Sequence, residues 1–330
     1  MTNRAFPAGR RSIVRTATVA AAILAAGPIG AVPAQAARPP VSHPRILVHL
    51  NLKAGQQPES LTFEPDGSAD LTFAFVAQVA RVNRHGQLSP VAQLPVPANG
   101  NVPIFHQKAF LGGIVRADDG TLYVDLSTGT AKDTGVWRIQ PGAAPARVAA
   151  LPPTSVANGL AIDQAAHQLY VSDSANQVIW RIPLRTGVAT VWAKGSALRG
   201  LRGVPAVGVN DVAVSDGAVW ASNTARGTLL RIPITRDHTA GAIQVIATGL
   251  PGIDGFSFAD RDTILAALDY PSPSQVALIH TDGRHQIVLT AADGLSNPTA
   301  TAVFGHVLEV TSAAYVTRKN PNVLIAQLHR

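Results

Sequence analysis

Apolar and polar residues alternate along most of this chain in short runs, and the runs come in a repeating order. The segment "NGLAIDQAAHQLYVSD", from Asn158, shows the unit. It has a polar opener, an alternating apolar stretch, a turn and a second apolar stretch. Alternation with period two predicts half-buried strands, and the Gly, Asn and Asp between them predict turns. The same order recurs in "PESLTFEPDGSADLTFAF" from Pro58, "GGIVRADDGTLYVDL" from Gly112 and "NDVAVSDGAVWASN" from Asn210. It recurs again in "DGFSFADRDTILAAL" from Asp254 and "NPTATAVFGHVLEVTS" from Asn297. A third apolar element follows each unit, as in "QVIWRIPL" and "TLLRIPI", and a fourth follows the first five, as in "SPVAQLP" and "IQVIATGLP".

Six units of four short antiparallel strands, recurring every 43 to 53 residues, predict an all-β fold, a six-bladed β-propeller. The sixth unit lacks its fourth strand, and an orphan strand, "RILVHLN" from Arg45 to Asn51, precedes the first unit. Pairing the two closes the ring and removes an exposed edge. A β-sandwich also has short strands and frequent turns, but it does not explain the four-beat period. The propeller domain is predicted to span residues 45–330.

The first strand of each blade of a propeller lines the central axis, so its opening residue meets its counterparts at one mouth of the tunnel. The openers are Glu59, Gly113, Asn158, Asn210, Asp254 and Asn297. All but Gly113 offer a side-chain oxygen, and none is His, Lys or Arg. An oxygen-only set with two carboxylates suits a hard divalent cation such as Ca²⁺. Asn, Asp and Gly are also ordinary turn residues, which is the competing account of each position taken singly. Glu59 is the least turn-like of them.

Composition adds two bounds. Residues 1–36 have an arginine-bearing start, an apolar stretch and a small-residue site at Ala34-Gln35-Ala36, the pattern of a secretory signal peptide. Arg10-Arg11 leaves a twin-arginine signal open beside an ordinary one. Residues 37–44 read as a short leader, and the mature protein is expected outside the cytoplasm of a bacterium. Four of the 27 basic residues, Arg4, Arg10, Arg11 and Arg15, lie in the signal, which leaves a small positive excess over 20 acids. No basic cluster remains, so nucleic acid is not an expected partner. With no cysteine, disulfides and thiolate zinc sites are excluded. A monomer acting on a small molecule is expected.

"PESLTF", "ANGLAID", "GIDGFSF" and "NPTATAVFGHVLEVTSA" resemble motifs of the SMP-30/gluconolactonase/LRE-like six-bladed propellers, which share their architecture with paraoxonases. The resemblance implies a divalent cation, commonly calcium, held by Glu59, Asn158, Asn210 and Asp254, and hydrolysis of a lactone or ester. "NGL" opens the third blade here, whereas in the gluconolactonase branch it often marks the fourth. The ligand pattern is in that respect closer to paraoxonases. Asp254 or Glu59 could activate water, with His106, on the loop before blade two, as a competing base. The substrate would be chosen by the loops "PVPANGNVPIFHQKAF", "AKGSALRGLRGVPAVG" and "DYPSPSQ", where Arg199 and Arg202 could meet an acidic group. The other class of function is a non-catalytic binding propeller resembling NHL-type interaction domains, with a structural cation or none.

Overall fold

A computed structural model describes residues 39–201, 207–269 and 273–329. The strand β1 runs over Val41–His49, so Val41 to Pro44, expected in the leader, already belong to the fold. Blade one contains β2 (Pro58–Phe63), β3 (Ala69–Phe73), β4 (Gln78–Val82) and β5 (Leu88–Gln93). Blade two contains β6 (Phe110–Arg116), β7 (Leu122–Ser127), β8 (Gly135–Ile139) and β9 (Ala146–Ala150). Blade three contains β10 (Ala157–Asp163), β11 (Gln168–Asp173), β12 (Val178–Pro183) and β13 (Thr190–Lys194). Blade four contains β14 (Val209–Ser215), β15 (Ala218–Asn223), β16 (Thr228–Pro233) and β17 (Gln244–Ala247). Blade five contains β18 (Ile253–Phe258), β19 (Thr263–Leu268), β20 (Gln275–His280) and β21 (His285–Thr290). Blade six is β22 (Pro298–Phe304), β23 (Val307–Ser312) and β24 (Asn322–Leu328), completed by β1 on the outer side of β24. The expected six-bladed propeller and its closure by the N-terminal strand are both present.

Burial follows position in the blade. Second strands lie between neighbouring blades and are buried on both faces, as in β11 and β15. Outer strands such as β13 and β21 are largely exposed. The apolar core is accordingly divided into wedges between adjacent blades. One packs Leu61, Leu71 and Phe73 of blade one against Ala300, Ala302 and Val323 of blade six, so ring closure is made by side chains as well as by strand pairing. Trp220 is a packing residue in the same sense, edge-on to Phe258 at 5.4 Å between ring centroids.

Each innermost strand carries a β-bulge just after its opener, with a register slip between Pro58 and Leu61 in β2 and between Ala157 and Leu160 in β10. A bulge re-aims side chains and leaves an extra N–H to satisfy. In five of the six blades the second strand supplies the acceptor, blade five having Ala267 at that position. Ser60 N–H donates to Thr72 Oγ1 (3.0 Å), Gly159 to Ser172 Oγ (2.8 Å), Asp211 to Ser222 Oγ (2.9 Å) and Ala300 to Thr311 Oγ1 (3.1 Å). In blade two the acceptor is a carboxylate, Asp125 Oδ2, at 3.2 Å from Gly113 N. The Thr72 hydroxyl also donates to the carbonyl of Gly112 in the next blade (2.7 Å), so one side chain caps the bulge and ties two blades. Gly159 must lack a Cβ, because one built there would lie 2.5 Å from Asp211 Oδ1.

Candidate metal centre at the tunnel mouth

The bulge register defines the openers. Glu59, Asn158, Asn210 and Asp254 each follow the strand residue that pairs with the end of the second strand, namely Pro58↔Phe73, Ala157↔Asp173, Val209↔Asn223 and Ile253↔Leu268. The four are equivalent, and all are buried. The equivalent in blade two is Gly112 rather than Gly113, and in blade six it is Thr299 rather than Asn297. Asn297 precedes β22 in a left-handed conformation, and its Oδ1 accepts from the N–H groups of Val316 (2.9 Å) and Thr317 (2.8 Å). It is the turn residue that its type suggests.

The two asparagines are held by a relay that runs from blade to blade. Asn158 Nδ2 donates to Ser174 Oγ (3.1 Å), and that hydroxyl donates to the carbonyl of Val209 (2.8 Å), the residue before Asn210. Asn210 Nδ2 donates to Thr224 Oγ1 (2.8 Å), which donates to the carbonyl of Ile253 (2.7 Å), the residue before Asp254. The relay spends each amide nitrogen on the protein and leaves the amide oxygen as the end that can meet a cation. Asp269 occupies in blade five the place of Ser174 and Thr224. Its N–H bonds the carbonyl of Gly252 (2.8 Å), as Ser174 N–H bonds Val156 (2.8 Å).

Buried acids gather at this mouth, and burial and mutual repulsion raise their pKa values. Burial pushes Glu59 up to about 8; the Tyr315 hydroxyl opposes that, and the nearby Asp269 and Asp211 add to it. Asp254 is held well above the usual carboxylate range by burial and then by Glu59, Asp269 and Asp211, with the Asn210 amide opposing. Asp211 is pushed to about 7 by burial, against the N–H groups of Phe256 and Val212. Among the described residues, the charged groups that act most on Glu59 and Asp254 are other acids. Buried like charges without a counter-ion are costly unless protonated or bound to a cation. Among the described residues no three His, Cys, Asp or Glu side chains gather as a metal cluster, so a cation here would draw on two carboxylates and two amide oxygens. That donor set is hard and oxygen-only, which fits calcium.

Three features were missed at the level of sequence. Asp269 and Asp211 lack the opener register, although Asp269 can be found by the residue that follows each second strand. Tyr315, after β23, donates its hydroxyl to Glu59 Oε2. Tyr315 also belongs to an aromatic group: Phe75 lies 5.5 Å from it and 6.0 Å from Phe105, and Phe105 lies 4.6 Å from Phe110. These rings place an apolar surface beside the carboxylates. His106 follows Phe105 but is exposed, and among the described residues no hydrogen bond joins its ring to the acids. Arg199 offers its carbonyl to Asn223 (3.1 Å) and Arg226 (2.8 Å). Arg202, Tyr270 to Ser272 and the signal segment lie outside the described residues. Among those described, no helix is long and apolar enough to cross a membrane.

Beyond the mouth, the inner strands enclose a cavity of about 440 Å³ along the axis, with Asp211 in its wall and Phe63 and Phe258 toward its far end.

No protein-family model matches the chain, and no curated protein matches it at a significant level. Solved structures share the fold. Regucalcin from Agrobacterium tumefaciens, described as a calcium-binding protein, superposes with a TM-score of 0.63 at 15% identity, over 87% of this chain and 93% of that one. A putative gluconolactonase gives 0.62 at 16% identity, over 87% and 92%. Virginiamycin B lyase from Staphylococcus aureus gives 0.57 at 14% identity, over 87% and 99%. At these identities the fold is what is shared, and the named activities differ among the three. The chain is a six-bladed β-propeller, the fold it shares with these lyase, regucalcin and gluconolactonase structures.

Proposed function

We propose that this protein is a calcium-dependent hydrolase of a small lactone or ester, working at the tunnel mouth as a monomer outside the cytoplasm. The observation that carries the reading is the pair Glu59 and Asp254, buried at one register, with other acids as their strongest charged neighbours among the described residues. Glu59, Asp254, Asn158 and Asn210 would hold the cation. The calcium named for the regucalcin structure and the lactonase named for another neighbour support the choice.

A bound calcium ion supplies Lewis-acid polarisation of the substrate carbonyl. The chain's own groups do the rest. The relay through Ser174 and Thr224 fixes the two amides before any ligand arrives, so no ordering is needed on binding. Tyr315 holds the Glu59 carboxylate in one orientation. Phe75, Phe105 and Tyr315 receive the apolar part of the substrate and exclude water. Asp254 or Glu59 takes the proton from the attacking water, with His106 on the neighbouring loop as the competing base.

Calorimetric titration of calcium into wild type, Glu59→Gln and Asp254→Asn tests this, followed by a lactone and ester screen with and without chelator. Binding in the wild type, its loss in both variants and chelator-sensitive turnover are expected. Binding without turnover makes the protein a ligand-binding propeller with a structural cation. No binding removes the calcium reading altogether.

A further inference from the structure

Second and third strands of the blades carry a recurring cross-strand pair. It is Asp70↔Arg81 in blade one, Tyr123↔Arg138 in blade two, Tyr170↔Arg181 in blade three and Trp220↔Arg231 in blade four. In blade one the arginine meets the acid directly, with Arg81 Nε and Nη2 each 2.8 Å from an oxygen of Asp70. Counting from Thr72 in β3 and Thr311 in β23, which cap the same bulge, the equivalent of Asp70 in blade six is Glu309. Its third-strand partner is Ile325. Blade six therefore has the acid of the pair without its guanidinium.

A cavity of about 420 Å³ lies at this position between blades six and one, at the end of the ring remote from Glu59. Its walls are Leu47, Phe63, Val82, Phe304, Val307 and Ile325, and Glu309 is its one acid. The Glu309 side chain is 3% exposed, Oε1 is fully buried, and among the described residues no hydrogen bond reaches either oxygen. Burial alone pushes its pKa to about 8. Arg45 and Arg84 also line the cavity, but both are exposed and neither forms an ion pair with Glu309. A buried carboxyl without a partner costs free energy that a ligand cation or donor would recover.

We propose that the cleft between blades six and one is a binding site for a small organic cation, a guanidinium or ammonium on an apolar body, seated on Glu309 where blades one to four place an arginine. The cationic head takes the place of the missing guanidinium, and the apolar body lies along Phe63, Val307 and Ile325. The proposal is independent of the calcium reading, since it uses no residue of the tunnel mouth.

The test is calorimetric titration of n-butylguanidinium and of n-butanol into the full chain, in wild type, Glu309→Gln, Ile325→Arg and Glu59→Gln. Ile325→Arg rebuilds the blade-one pair and fills the cleft. Saturable binding of the guanidinium is expected in wild type and Glu59→Gln, at least tenfold weaker in Glu309→Gln and Ile325→Arg, with butanol weaker throughout. A higher melting temperature of Ile325→Arg than of wild type is expected as well. No saturable binding in wild type, binding undiminished in Glu309→Gln, or binding lost in Glu59→Gln overturns the proposal.

Discussion

Tyr315 donates its hydroxyl to Glu59 across a sequence separation of 256 residues, joining the loop after β23 to the opener of blade one. The bond favours the charged carboxylate, against burial that disfavours it. Tyr315→Phe should raise the Glu59 pKa further and weaken calcium binding at neutral pH about tenfold, from ~1.5 kcal/mol for a hydrogen bond to a charged group. The deficit should narrow as pH rises, because Glu59 then ionises in both proteins. Calcium titrations of the two proteins at about pH 7 and about pH 9 check this.

Glu59 and Asp254 should also give the fold a distinctive response to pH. Both have folded pKa values raised above the ordinary carboxylate range, so the folded protein without cation holds protons that the unfolded chain releases. Stability without calcium is then greatest at acid pH and falls as pH rises through the interval up to about 8. Calcium bound at the proposed site would release those protons, so its stabilising effect should grow over the same interval. Melting temperatures across this range, with excess chelator and with excess calcium, should diverge as pH rises.

The fold was legible because four-stranded units repeat and because the ends of the chain are complementary, and both are visible as alternation of residue type. The candidate site was legible only as far as the repeat reaches. Glu59, Asn158, Asn210 and Asp254 share a register, and counting finds them. At Gly113 and Asn297 counting slips, because the bulge adds an unpaired residue that an apolar pattern does not reveal. Tyr315, Phe75 and Phe105 come from loops without a shared register, brought together by ring closure and packing. His106 likewise lies on a loop without a shared register, and its side chain is exposed there.

Asp125 sits where Thr72, Ser172, Ser222 and Thr311 offer hydroxyls, and its Oδ1 is buried without a partner among the described residues. Burial holds its pKa well above the usual range. Asp125→Thr restores a group that accepts from Gly113 N–H and can donate as Thr72 does. It should stabilise the protein by about 1–2 kcal/mol at alkaline pH, the cost of an unsatisfied buried group. The gain should shrink in acid, where Asp125 is protonated. Urea denaturation at two pH values measures both.

Arg81 joins Asp70 to Glu64 (2.7 Å), and Glu64 reaches Arg116 of blade two (2.8 Å). The Asp70 side chain is fully buried, and burial pushes its pKa to about 6 even with Arg81 in contact. Arg81→Ala leaves that carboxylate without its partner. A loss of about 2 kcal/mol is expected, below the 3–5 kcal/mol of a fully buried pair because Arg81 is partly exposed. The loss should be larger at about pH 8 than at about pH 4, where Asp70 takes up a proton. Urea denaturation of variant and wild type at the two pH values reads it directly.

The pairing of β1 with β24 sets an order of events for the newly made chain. His49 meets Asn322 in the last blade, so the first strand to be synthesised finds its partner only when nearly everything between them exists. Five blades can assemble by local hairpins while β1 waits. Closing so long a loop carries a large entropic cost before any contact rewards it, which makes ring closure the slow, late step of folding. Until then the outer edge of β24 is open to any free strand, and a second chain's β1 fits it as well as its own. The same device that protects the finished ring exposes the nascent one to strand exchange between copies.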